Sequence, residues 1–120
     1  MSISDTIIGL IHEKGLLILE QPYRLEGFLK DLHPDEERDV FLMSEFMFCG
    51  MLDRVRRTQP KLDSEIQLIV LQFATMTGIA VNYSDWAVER WLNILPKESY
   101  WAHQIPTTPW TGTLEELLRN

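Results

Sequence analysis

The sequence has 120 residues, a net charge of −7 and a pI near 4.8. Hydrophobic residues make up 45% of the chain and charged residues 24%, a composition that fits one folded domain and excludes a disordered protein. The acidic balance predicts no nucleic-acid partner and no anionic membrane partner, because both repel a negatively charged protein.

The chain carries no sign of secretion or of a membrane anchor. Cys49 is its one cysteine, so no intramolecular disulfide can form. The first residues include Asp5 and Glu13 and lack the basic start and apolar stretch of a signal peptide. No apolar run approaches the roughly 20 residues that span a bilayer. A cytoplasmic protein is therefore expected.

Two amphipathic helices are predicted first. One is expected to begin at Ser4 or Asp5, which can cap it, and to end at Gly15. The other begins at Pro22, whose missing N–H costs nothing at the first helical position, and ends before Pro34. Their inner stripes are apolar residues at helical spacing: Ile3, Ile7, Leu10 and Ile11 in the first, and Leu25, Phe28, Leu29 and Leu32 in the second.

The centre of the chain predicts three further helices. The third helix opens with the acidic residues 35–37, which complement the positive end of a helix dipole, and stops at Gly50. Residues 40–49 are apolar nearly all round, so this helix is expected to be the central and most buried one. A short helix over residues 51–57 follows, and then a long amphipathic helix that ends at Gly78.

The last clear helix is predicted from Ser84, as its N-cap, to Leu95, where Pro96 stops it. No segment alternates apolar and polar residues well enough to be a strand. The predicted fold is therefore all-α, an orthogonal bundle of five to six short helices in a domain over residues 1–96.

The C-terminal residues 97–120 are predicted to form a tail of different character. Residues 97–113 are rich in threonine, proline and tryptophan and are expected to be irregular. Residues 113–116 read Thr-Leu-Glu-Glu, which is a capping box and predicts a short terminal helix.

Residues suited to catalysis or metal binding do not group in the sequence. The histidines His12, His33 and His103 fall on separate predicted elements and form no spaced metal motif. Cys49 lies in the most apolar stretch, where a small buried hydrophobe is a simpler interpretation than a nucleophile. A glycosidase-type carboxylate pair is a lesser alternative, because the helix dipole already accounts for the acids of residues 35–39. The prediction is a protein that is not an enzyme and that uses no metal and no cofactor.

Other residues indicate a protein partner. Arg54, Arg56 and Arg57 form a basic cluster, which is either a solvated short helix or a docking site for an acidic surface or a second copy of this chain. Leu68 and Leu71 lie off the inner stripe of the long helix, so this helix buries a second face or presents it to a partner.

Tryptophan is concentrated in the last third of the chain. Trp91 is expected to lie in the core. Trp101 and Trp110 belong to the predicted tail, where they either pin the tail to the bundle or anchor a partner, since tryptophan is enriched at interface hot spots.

Two segments resemble a recurring bacterial domain. Residues 20–34, EQPYRLEGFLKDLHP, and the ERDV of residues 37–40 are similar to its opening pattern of acid-Pro-x-Arg-Leu-Glu-x-Leu-Leu-Arg-Asp-Leu, a proline and an Arg-acid-aliphatic step. The TGI of residues 77–79 and the WAVERW of residues 86–91 are similar to its end, a Gly-aliphatic step followed by Ala-x-Trp-Ala-Val-x-x-Trp. Such domains are uncharacterised helical accessory modules appended to Hsp70-like chaperones, kinases and NTPases of bacterial conflict systems. The Trp/Pro tail is not part of the pattern.

The resemblance implies an adaptor or regulatory role without catalytic residues. The expected function is a non-enzymatic module that binds a larger bacterial protein, or a second copy of itself, through an exposed apolar strip or the tail. The alternative is a small acidic inhibitor of the immunity type that neutralises a basic partner. The two differ in salt dependence, because association that is steered by charge slows as ionic strength rises.

Overall fold

The computed structural model describes residues 2–102, with side chains described through Leu95. Within these residues the chain is helical and contains no strand, so the predicted all-α bundle is confirmed. The helices are α1 (Ile3–Lys14), α2 (Pro22–Leu32), α3 (Glu37–Phe48), α4 (Met51–Thr58), α5 (Asp63–Thr77) and α6 (Val81–Ala102), and a 3-10 helix over Leu16–Glu20 joins α1 to α2.

Three helix ends lie at the glycines that the sequence marks as stops. Gly15, Gly50 and Gly78 have φ values of 86°, 87° and 74°, in the left-handed region that a side chain disfavours. Gln59, at the end of α4, also has a positive φ, 48°. Gln59 therefore adopts, at the end of α4, the positive φ that glycine adopts at these three other helix ends.

The start of α1 differs from the prediction. Its cap is Ser2, whose Oγ accepts a hydrogen bond from the Asp5 N–H at 3.1 Å, so the expected cap at Ser4 or Asp5 is wrong. The earlier cap lets Ile3 enter the helix, where its side chain is buried. The start of α3 is later than predicted, at Glu37.

Both predicted ends of α6 are wrong. Ser84 is buried inside the helix, and its Oγ donates a hydrogen bond to the Val70 carbonyl at 2.6 Å, so it ties α6 to α5 and caps nothing. Pro96 does not stop α6, which continues to Ala102. A proline inside a helix removes one backbone hydrogen bond and strains the turn before it, yet it can bend a helix without ending it.

The core is organised around α3, as predicted. The Phe46 ring packs edge-on against the Phe73 ring of α5, with centroids 5.0 Å apart, and stacks with the Trp91 ring of α6 at 6.1 Å. Trp91 is fully buried, and its Nε1 donates a hydrogen bond to the Met43 carbonyl at 3.2 Å. The predicted stripe of α1 is also buried, whereas Leu32, in the last turn of α2, is 59% exposed.

Candidate functional site

A groove between α4 and α5 brings two of the predicted surface features together. Arg54 of the basic cluster and Leu71 of α5 both line it. Gln72, Thr75 and Met76 complete its wall, and its volume is about 330 Å³. We call this surface the α4–α5 groove.

The apolar residues of α5 divide into a buried set and an exposed set. Ile69, Val70 and Phe73 are buried against the core. In the exposed set, Leu68 is 52% exposed, Leu71 44% and Met76 58%. Of the two predicted possibilities for Leu68 and Leu71, the structure therefore favours the one in which α5 presents a second face. Such a face is a typical anchor for a partner helix.

The three predicted arginines differ in their surroundings. Arg57 is exposed, and its Nε lies 3.1 Å from an Asp53 carboxylate oxygen. Arg56 is half-buried. Arg54 is exposed and forms no ion pair with another residue that the structure describes, and it is the member of the cluster that lines the groove. Its guanidinium is positioned to bind an acidic group of a partner.

Gln72 is a groove residue that sequence reasoning missed. Its Oε1 is buried and accepts no hydrogen bond from any described residue. An amide oxygen in this state costs about 1–3 kcal/mol. The one feature of the sequence that could have indicated Gln72 is its position as a polar residue among the apolar residues of α5.

A second concave region lies between α2 and α3, with a volume of about 450 Å³. We call it the α2–α3 cleft. Its lining includes Lys30, His33, Pro34 and Val40, the carboxylates of Glu26 and Glu37, and Phe41, whose side chain is 51% exposed.

His33 forms the buried part of this cleft. Its Nε2 lies 2.7 Å from the Thr6 hydroxyl, and its Nδ1 lies 3.4 Å from a Glu36 carboxylate oxygen. Because both ring nitrogens have partners, His33 joins α1 to the turn before α3. This geometry is typical of a structural histidine.

Cys49 lies half-buried at the end of α3. Its Sγ donates a hydrogen bond to the Phe46 carbonyl at 3.6 Å. Burial raises the pKa of the Cys49 thiol, so the thiol form is favoured over the nucleophilic thiolate.

Among residues 2–102, no three His, Cys, Asp or Glu side chains group closely enough to hold a metal ion. None of the helices in this range is both long and apolar enough to cross a membrane.

The two tryptophans of the predicted tail cannot be placed in either concave region. Trp101 belongs to the last turn of α6, but its side chain lies outside the described part of the chain. Trp110 lies outside the described residues altogether. Their role as partner anchors stays a prediction.

No protein-family model, curated protein or solved structure matches the chain. The resemblance to bacterial accessory domains therefore stays a prediction.

Proposed function

We propose that this chain is a non-enzymatic cytoplasmic interaction module, an adaptor or regulator that docks a larger protein in the α4–α5 groove. The observation that supports this function most is the outward apolar side of α5 beside an arginine without an ion pair among the described residues. A fold needs neither feature at its surface.

The chemistry of the groove defines the partner segment. Leu71 and Met76 offer apolar contact, and Arg54 binds a carboxylate. The matching segment is a short helix with leucine-like residues three and four positions apart and an acidic residue beside them. Each half-exposed apolar side chain contributes about 1 kcal/mol when it is covered, so the contact is weak and reversible.

The test is capture of partners from the lysate of the host by the tagged full-length chain and two variants. Leu71→Asp places a charge in the groove and is expected to abolish capture of a specific partner. Leu17→Asp is the matched control, because Leu17 is 59% exposed in the 3-10 helix, away from the groove. A partner that binds the wild type and both variants equally overturns the docking site.

The α2–α3 cleft supports the second candidate function, the acidic inhibitor. Glu37 lines it beside the exposed Phe41, and Glu26, which lies 3.7 Å from Lys30 of the same lining, adds a second carboxylate, a combination that suits a basic partner with an apolar side chain. Salt discriminates between the two functions. Association of an inhibitor with a basic partner slows steeply from low to high ionic strength, whereas docking that depends on apolar contact changes little.

A further inference from the structure

We infer that the α4–α5 groove binds a segment of the same chain, residues 114–118, when no partner is present. The inference concerns the groove of the proposed function and rests on that function. It assigns to the groove a named occupant, which a partner must displace.

The segment has the chemistry that the groove selects. Residues 113–118 read TLEELL, so Leu114, Leu117 and Leu118 are three and four positions apart and share one side when the segment is helical. Glu115 and Glu116 accompany them. This is the acidic, leucine-rich helix that apolar grooves with a basic edge recognise.

The groove and the segment are complementary in charge as well as in hydrophobicity. Arg54 brings a positive charge to the lining of the groove, and Glu115 and Glu116 bring two negative charges to the segment. A carboxylate from Glu115 or Glu116 pairs with it, while the leucines cover Leu71 and Met76.

The chain is long enough to make this contact. Residues 103–113 connect α6 to the segment and span up to about 36–40 Å when extended. Along α6, about 27 Å separates Ala102 from Ser84, whose Oγ bonds the Val70 carbonyl next to the groove residue Leu71. A segment that is tethered this closely is held at an effective concentration of about 1 mM, which favours a weak contact.

The expected consequence is that the chain competes with its own partner. A segment of five residues is a marginal helix in isolation, so it docks reversibly. If it occupies the groove for nine-tenths of the time, the apparent affinity for a partner is about tenfold lower than that of the open groove.

The experiment compares the methyl NMR spectrum of the full-length protein with that of Leu117→Asp. The methyl signals of Leu68, Leu71 and Met76 are expected to shift on substitution, while that of Leu17 stays in place. Ile105→Asp, an equal change outside the segment, is the control and is expected to leave the groove signals unchanged. Identical spectra for all three proteins overturn the inference.

Charge reversal tests the pairing. Arg54→Glu is expected to shift the groove signals as Leu117→Asp does, and adding Glu115→Arg and Glu116→Arg is expected to restore them. Failure of the restoration contradicts the pairing. Groove shifts that vanish on dilution overturn the assignment to the same chain, because an intramolecular contact does not depend on concentration.

The inference and the proposed function fail in different ways. In one outcome, the groove signals do not change in Leu117→Asp, but Leu71→Asp still loses partner capture. This outcome overturns the inference and supports the docking site. In the other outcome, the groove signals change in Leu117→Asp, but Leu71→Asp loses no partner. This outcome overturns the proposed function and supports a contact within the chain.

Discussion

The α2–α3 cleft and the α4–α5 groove are both concave, but their polar groups are satisfied to different degrees. In the cleft, His33 has a partner on each ring nitrogen, and Lys30 lies 3.7 Å from a Glu26 carboxylate oxygen. In the groove, Arg54 has no ion pair and the Gln72 Oε1 has no donor among the described residues. The polar groups of the cleft are therefore largely paired within the chain, whereas the proposed function assigns the exposed guanidinium of Arg54 in the groove to a partner's carboxylate.

The largest expected effect is a loss of stability on substitution of Trp91, which tests whether the cleft and the groove both depend on the core around this residue. Trp91→Ala removes a fully buried ring and its hydrogen bond to Met43, so we expect the free energy of unfolding to fall by about 3–5 kcal/mol. Urea denaturation measures it. Trp91→Phe, which keeps an aromatic ring, is expected to lose less. A loss below 1 kcal/mol for the alanine variant contradicts this description of the core.

Thr6→Val tests the structural role of the cleft. The substitution removes the hydroxyl that lies 2.7 Å from the His33 Nε2 and leaves a buried ring nitrogen without a partner, so a loss of about 1–3 kcal/mol is expected. Thr75→Val in the groove is the matched control and is expected to stay within about 0.5 kcal/mol of the wild type. Thermal unfolding compares the two. If Thr6→Val and Thr75→Val are equally stable, the cleft does not depend on its hydrogen bond more than the groove depends on Thr75.

Gln72→Leu tests the opposite expectation in the groove. Removing a buried acceptor that has no described donor is expected to leave stability unchanged or to raise it by about 1 kcal/mol, while partner capture weakens. Unfolding and capture are measured on the same preparation. A clear loss of stability shows that the Gln72 side chain serves the fold and contradicts its assignment to binding.

The smallest expected effect lies at the start of α5. The Glu65 Oε1 accepts hydrogen bonds from the Leu62 and Lys61 N–H groups, at 3.0 and 2.9 Å, and these bonds lower the pKa of the Glu65 carboxyl. Its stabilising contribution is therefore full above the ordinary glutamate pKa and is lost as the pH falls through the lower pKa of the folded state. Melting curves of Glu65→Gln are expected to show less acid dependence than the wild type. Equal slopes contradict the capping role.

Local patterns predicted most of the fold because local physics sets most of it. Gly15, Gly50 and Gly78 mark helix ends through their own backbone conformation. The nearly continuous apolar run of α3 identifies the central helix, because most of its apolar residues must be covered, although Phe41 stays 51% exposed. Neither inference needs knowledge of a distant residue.

The errors and the missed residue depend on tertiary contacts. A serine near the start of a helix usually caps it, and the hydrogen bond from Ser84 to Val70 exists only because α5 and α6 pack together. Similarly, the sequence does not distinguish Arg54 from Arg56 and Arg57, because the selection depends on which side of α4 faces α5. The lack of a described donor to the Gln72 Oε1 also depends on how the helices pack, so the sequence does not predict it.

The buried and exposed apolar residues of α5 have a consequence for how this protein can change over evolutionary time. Under the proposed function, substitutions at the exposed Leu68, Leu71 or Met76 are expected to alter what the surface recognises, while the buried Ile69, Val70 and Phe73 preserve the bundle. One helix thus holds two separate sets of positions, and the first set can vary while the core stays unchanged. For an engineer, the exposed positions of α5 form a library site that leaves the buried positions untouched.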